Sequence, residues 1–256
     1  MRTSWLYSSL VLLTVSMACS PKPAAPPPSG AAAGRKVDAA TAGSVAGKVT
    51  FTGTPPAAET VKMSSDPACT PNGSPTQPTN AVLVDAAGEV QNAFVYVKTG
   101  LDPAYTFDVP TEPVEFYQRG CRYEPRVFGV LAGQPIDIVN DDDTLHNVHA
   151  LPKSNLEFNK SEPYKGARMK QTFTVSETMV RFKCDVHPWM NAYVGVLTHP
   201  FYAVTGPDGS FALKGLPPGT YTIEAWHERF GTQTQQVTVA DKQAQTVSFA
   251  FASAGK

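Results

Sequence analysis

From Val45 onward the chain is written in short apolar runs that alternate with polar positions. Val45, Val49 and Phe51 define one face of an extended segment that stops at Gly53-Thr54-Pro55-Pro56. Residues 64–80 form a loop rich in Pro, Ser and Asn around Cys69. Ala81 to Val84 and Ala93 to Val97 read as two strands joined across Ala87-Gly88. Val114 to Tyr117, Arg126 to Val130, Ile136 to Val139, Gln171 to Val175 and Val180 to Cys184 follow, each bounded by Gly, Pro or Asp. No window of about eleven residues sustains a 3.6-residue period. Short strands at regular intervals predict an all-β protein of sandwich type.

The last section changes character. Tyr202 to Thr205 leads through Pro207-Asp208-Gly209 to Ser210-Phe211-Ala212-Leu213, and Asp-Gly between alternating runs predicts a hairpin. The run Gly215-Leu216-Pro217-Pro218-Gly219-Thr220-Tyr221 then opens a strand to Trp226, with further strands at Gln235 to Val239 and Thr246 to Phe251. Leu216 to Tyr221 resembles the turn of carboxypeptidase-regulatory and transthyretin-like β-modules, which also occur beside rhamnogalacturonan lyase catalytic domains. That resemblance implies a small β-sandwich module over residues 199–253, and the motif carries no catalytic residue. The strand Gly47 to Gly53 is a candidate member, with another domain inserted between. A sugar-binding module would need an exposed aromatic platform. Trp226 and Tyr221 are its candidates, although alternation directs both toward the core.

At 256 residues and a formal net charge of -1, the chain has room for one large or two small domains and lacks a nucleic-acid footprint. Arg2, the apolar run Leu10 to Val15 and Ser16-Met17-Ala18-Cys19 read as an export signal over residues 1–18. The run is too short to span a bilayer. A small residue before Cys19 points to lipoprotein processing with Cys19 lipidated, although Ser16 stands where Leu is usual. The alternative is an ordinary signal peptide with an incidental Cys. Residues 19–44, dominated by Ala, Pro and Gly, then serve as a tether. The expectation is a bacterial cell-envelope protein, periplasmic or held at the outer membrane by its lipid alone.

The candidate chemistry lies in Phe182-Lys183-Cys184-Asp185-Val186-His187-Pro188-Trp189-Met190 and, upstream, in Leu145-His146-Asn147-Val148-His149. A thiolate, an imidazole and a thioether share one short loop. Cys184 ends a strand, a turn returns His187 and Met190 to the same point, and His146 can supply a second imidazole from a neighbouring strand. A trigonal His₂Cys set with a weak Met is the mixture that suits a single copper ion cycling between Cu(II) and Cu(I). With Cys184 so used, Cys69 and Cys121 remain as an even pair in an oxidising compartment, where a structural disulfide is the plainer reading. A second metal site on them is disfavoured, because neither has a His or Cys at ligand spacing.

Residues 125–198 resemble the cupredoxins, and the Cys184-x₂-His187-x₂-Met190 loop is similar to that of amicyanin-type members. The resemblance implies a Greek-key β-sandwich over residues 45–198, with copper held in a plane by His146, Cys184 and His187 and with Met190 axial. It also implies that Asn147 hydrogen-bonds across to the Cys loop, a clamp that Asp185 puts in question where the family often has Ser or Thr. The family's counterpart of His187 presents its ring edge at the surface, so a redox protein partner is expected to dock near His187, Pro188 and Trp189.

Taken singly, Cys184 reads as a buried thiol, His187 as a turn residue and Met190 as core filler; together with His146 they predict a metal site. An odd offset from His146 turns His149 to the opposite strand face, which makes it an outer histidine beside the site. His199 and His227, next to aromatic residues, read as structural. Asp141-Asp142-Asp143 lacks the alternating oxygens of a Ca²⁺ loop and reads as a solvated turn. An electron carrier is expected, not an enzyme. A multicopper oxidase needs several His-x-His motifs, and a copper nitrite reductase needs a second three-His site, which only His149, His199 and His227 are free to supply. Copper storage and a carbohydrate-binding module are the alternatives.

Overall fold

The structure, a computed structural model, describes residues 34–70 and 73–253. The expected signal peptide (1–18), the lipidation site Cys19 and the tether as far as residue 33 lie outside the described residues. The remainder of the expected tether is built into the fold. Arg35 bridges to Tyr105, pairs with Asp102 at 2.6 Å and lies over the Tyr105 ring, and a strand begins at Gly43. Among the described residues there are nineteen strands and one 3₁₀ turn, Pro67–Cys69, and no helix long and apolar enough to cross a membrane.

Two pairs of sheets enclose two cores. In the first pair, one sheet runs Phe158–Glu162, His146–Leu151, Glu177–Lys183, Asn191–Leu197, Val127–Leu131, and the other runs Arg168–Thr172, Pro135–Asn140, Val114–Gln118, Tyr123–Glu124. Their inward residues form one apolar cluster. Phe182 is fully buried at its centre, with Phe116, Phe128, Phe158 and Phe173 at ring separations from 5.3 to 6.2 Å. Burying a phenylalanine of this kind contributes about 1.5–3 kcal/mol, so this cluster anchors the strand that ends at Cys184.

The second sandwich is assembled from distant parts of the chain. Gly43–Thr52 lies between Ser210–Leu216 on one side and Ala244–Thr246 and Phe249–Ala252 on the other. The facing sheet runs Tyr202–Val204, Phe94–Thr99, Gly219–His227, Gly231–Val239. The sheets therefore do not divide at residue 198. Phe94–Thr99, expected in the 45–198 domain, is a central strand of the C-terminal module. Its run Phe94 to Val97 is buried throughout and needs neighbours on both edges, which Tyr202–Val204 and Gly219–His227 supply. Ala81 to Val84 accordingly forms no strand, only a bridge from Val84 to Val90. The Asp208-Gly209 turn forms, with Gly209 at φ +64°, but it carries the chain between the two facing sheets instead of closing a hairpin.

The two sandwiches meet on a pair of glycines. Gly195 and Gly129 are direct partners on adjacent parallel strands, and a Cβ on either would clash with the Phe94 or the Tyr202 ring. Without side chains there, the stacked Phe94 and Tyr202 rings rest against the sheet, and the Tyr202 hydroxyl donates to the Gly129 carbonyl at 2.9 Å. Trp226 packs on Tyr193 in the same contact, and Tyr221 is buried with its hydroxyl bonded to the Pro217 carbonyl. Neither ring forms an exposed platform.

Candidate metal centre

The Glu177–Lys183 and Asn191–Leu197 strands are antiparallel, and Cys184 to Met190 is the loop that joins them. Three backbone contacts close it. Cys184 N–H donates to the Met190 carbonyl at 3.2 Å, Met190 N–H to the His187 carbonyl at 2.9 Å, and His187 N–H to Cys184 Sγ at 3.3 Å. Met190 is buried in the same apolar cluster as Cys184. The neighbouring strand pairs Lys183 with His149, so His146 extends beyond the paired region and reaches the loop.

His146 Nδ1 lies 2.9 Å from His187 Nδ1, and Cys184 Sγ is 3.9 Å from His187 Nδ1. All three residues are buried, and their potential ligand atoms lie within 4.8 Å of one another. The outer nitrogens define the tautomers. His146 Nε2 is 2.9 Å from Asp142 Oδ2, and His187 Nε2 is 3.1 Å from Asp66 Oδ2. The Thr144 hydroxyl above all, then Ala68 N–H and His187, holds the Asp66 carboxyl below its ordinary range, and His146 with the Cys121 and Gly120 N–H groups does so for Asp142 against its burial, so both are acceptors and each Nε2 carries the proton. This is the carboxylate–histidine pairing that orients metal-binding imidazoles.

Burial opposes ionisation of Cys184, but hydrogen bonds from His146 and His187 outweigh it and bring the thiol down to about 6. Burial likewise opposes the charge on His146, yet Asp142 and Cys184 lift it to about 9. The metal-free centre thus stores a thiolate beside an imidazolium whose Nδ1–H faces the thiolate and His187 Nδ1, 2.9 Å away. Replacing that proton by a metal leaves two imidazole lone pairs and one thiolate directed at one place. The donor set fits copper, which takes imidazole and thiolate together.

Asn147 makes the clamp by a different route from a Ser or Thr hydroxyl. Its Oδ1 accepts the backbone N–H of Asp185 at 2.7 Å and lies 3.2 Å from Cys184 Sγ. The side chain at position 185 is therefore free, and it bonds His149 Nδ1 at 2.9 Å. His149 Nε2 meets Glu157 at 2.8 Å, so that ring lies outside the centre. His199 and His227 are buried elsewhere and bonded to backbone groups.

The structure joins Cys69 to Cys121 in a disulfide. It lies against the centre, because both sulfurs fall within 4.8 Å of a His187 ring nitrogen. Two further residues lie against the two imidazoles and carry no mark of it in the sequence. Asp142 sits in what reads as a solvated turn, yet its carboxylate is largely buried against His146 and accepts the N–H groups of Gly120 and Cys121 at 2.7 Å. Asp66 caps the Pro67–Cys69 turn through Oδ1 and covers the outer edge of His187, which is only 2% exposed. The expected protrusion of His187 at the surface is absent. Pro188 is exposed, and Trp189 is half-buried, with its ring 5.1 Å from that of His187 and its Nε1–H donated to the Cys121 carbonyl at 3.0 Å.

Comparison with known proteins finds a carboxypeptidase regulatory-like domain over residues 184–252. Among solved structures, a copper-containing nitrite reductase from Thermus scotoductus SA-01 is similar at 23% identity and a TM-score of 0.31 over 38% of this chain. The chain spans only 26% of that protein's length. A purple cupredoxin from Nitrosopumilus maritimus aligns at 20% identity and a TM-score of 0.29, covering 32% of this chain and 98% of its own. A Cu(I) form of an amicyanin variant aligns at 22% identity and a TM-score of 0.30, covering 41% and 98%. No curated protein sequence matches the chain.

Proposed function

We propose that the chain is an exported mononuclear copper protein of blue-copper type that carries single electrons. The observation that supports it is the convergence of His146 Nδ1, His187 Nδ1 and Cys184 Sγ, with each outer imidazole nitrogen held by a carboxylate. Copper bound there would supply a one-electron Cu(II)/Cu(I) couple. The chain's part is to keep the three donors in place in both oxidation states. The Phe182 cluster anchors the Cys strand, Asn147 pins the loop backbone, and the closed loop from Cys184 to Met190 buries the donors away from water. Met190 is the proposed fourth, weak donor.

A carrier is favoured over an oxidase or reductase because His149, His199 and His227 are engaged apart from one another, which leaves one converging pair among the five histidines. A redox protein is proposed to dock over Pro188 and Trp189, beside the covered His187. The burial of His187 is the observation that favours copper retention as a second reading. Localisation in the cell envelope by a lipid on Cys19 is part of the proposal, and the Cys69–Cys121 disulfide suits an oxidising compartment. Mass spectrometry of the mature N-terminus tests the anchor.

The deciding experiment is an absorption spectrum of the Cu(II)-loaded chain beside Cys184→Ser. An intense visible thiolate-to-copper band, bleached by reductant and missing from the variant, supports the carrier. Tight copper binding without that band supports retention, and no binding rejects both.

A further inference from the structure

Resting on the copper reading, we propose that Asp66 is a positioning residue for the centre: it locks His187 with Nδ1 inward and favours the oxidised metal. Its place in the chain gives no hint of this, since 121 residues separate it from His187. Each carboxylate oxygen has a separate task. Oδ1 accepts Ala68 N–H at 2.9 Å and so caps the turn that leads to Cys69. Oδ2 accepts the Thr144 hydroxyl at 2.6 Å and faces His187 Nε2 at 3.1 Å. The group is thus anchored from two sides before it meets the imidazole.

The Cys69–Cys121 disulfide anchors the same segment to the turn whose Gly120 and Cys121 N–H groups hold Asp142. The carboxylate partners of both imidazoles are therefore carried on one cross-linked frame. A negative charge hydrogen-bonded to a ligand imidazole makes that ring a stronger donor and favours the more highly charged metal. The same contact seals the His187 edge, which leaves Trp189 as the half-exposed ring next to it.

The test compares wild type, Asp66→Asn and Thr144→Val by spectroelectrochemistry of the copper-loaded full chain. Asparagine keeps the shape and the acceptor oxygen for Ala68 N–H, and it replaces the charged Oδ2 that faces Thr144 and His187 by a neutral amide group. The expected result is an intact visible band with at least a tenfold shift of the redox equilibrium toward Cu(I), a rise of about 59 mV for one electron. Thr144→Val should move it the same way by less. An unchanged potential with the band intact would overturn the role of Asp66 and leave the copper reading standing. If wild type shows no band, the carrier reading fails by itself, and ¹⁵N NMR of the metal-free His187 ring still tests the lock. An Nε2–H tautomer that becomes mixed in Asp66→Ala supports it, and the same tautomer in both proteins overturns it.

Discussion

The backbone N–H of Cys121 donates to the carboxylate of Asp142 at 2.7 Å, so the disulfide and the partner of His146 form one connected structure. Cys69, at the other end of the bridge, is the last residue of the turn capped by Asp66.

Removing the bridge with Cys69→Ser and Cys121→Ser should therefore have two effects. The loop-entropy model assigns about 4 kcal/mol to a cross-link between residues 52 apart. Urea denaturation of the metal-free double variant should show a loss of that order. Copper affinity should fall as well, because both carboxylates lose their frame. Unchanged affinity would show that the imidazoles are held without it.

Asn147→Ala leaves the Asp185 N–H without its acceptor in a partly buried position. An orphaned donor of this kind costs about 1–3 kcal/mol. Asp185→Ser keeps the backbone bond and should cost less. Thermal unfolding of the two variants checks the order, and a larger loss in Asp185→Ser would mean that the ion pairs of Asp185 matter more than the clamp.

Metal uptake should release a proton. With Cys184 brought down to about 6 and His146 raised to about 9, the metal-free centre at pH 7.5 holds a thiolate and an imidazolium. About one proton should leave His146 per metal ion bound, and fewer as the pH climbs past 9. Calorimetric titration in buffers of different ionisation enthalpy counts it, and no release at this pH would reject the stored ion pair.

His227 sets a pH dependence on folding outside the candidate metal centre. Its Nδ1 accepts Arg229 N–H at 3.2 Å, and its ring stacks on Phe230 at 4.3 Å. Burial, aided by Arg126 and Arg229, holds its pKa down at about 4 against an ordinary 6.5. Between those values the unfolded chain takes up a proton that the folded chain refuses. The contribution is complete above pH 6.5 and declines by about 3 kcal/mol as pH falls toward 4, at roughly 1.36 kcal/mol per unit. The stability difference between wild type and His227→Gln should shrink across this window, and a flat difference would count against the mechanism.

Gly195→Ala places a Cβ 2.4 Å from Phe94 Cζ, where the two sandwiches meet. Overpacking of this kind costs about 1–3 kcal/mol. Trimming the ring in Gly195→Ala with Phe94→Leu should recover part of the loss. A double-mutant cycle on denaturation midpoints reads the coupling, and strict additivity would place the strain elsewhere.

Strand positions were legible wherever alternation was strict, as at Val45 to Phe51 and Val180 to Cys184, because each side chain reports its own face. The strand over His146–Leu151 was less legible, since its buried histidine and asparagine break the apolar code. Asp142 reads as solvated because nothing local marks an aspartate as bonded to the imidazole four residues later. The Asp208-Gly209 signal described its turn correctly and said nothing of which sheet the next strand would join.

The all-β character, the even pair Cys69 and Cys121, and the gathering of Cys184, His187 and Met190 in one short loop can be read from the chain alone. These depend on side-chain period, cysteine parity and a ring of contacts a few residues wide. That Phe94–Thr99 belongs to the C-terminal sandwich and that Asp66 covers His187 emerges from long-range packing. Strand partners are chosen by burial against surfaces far away in the chain. A carboxylate also carries no mark of the imidazole it will meet until the Cys69–Cys121 bridge and the Thr144 hydroxyl bring the two together.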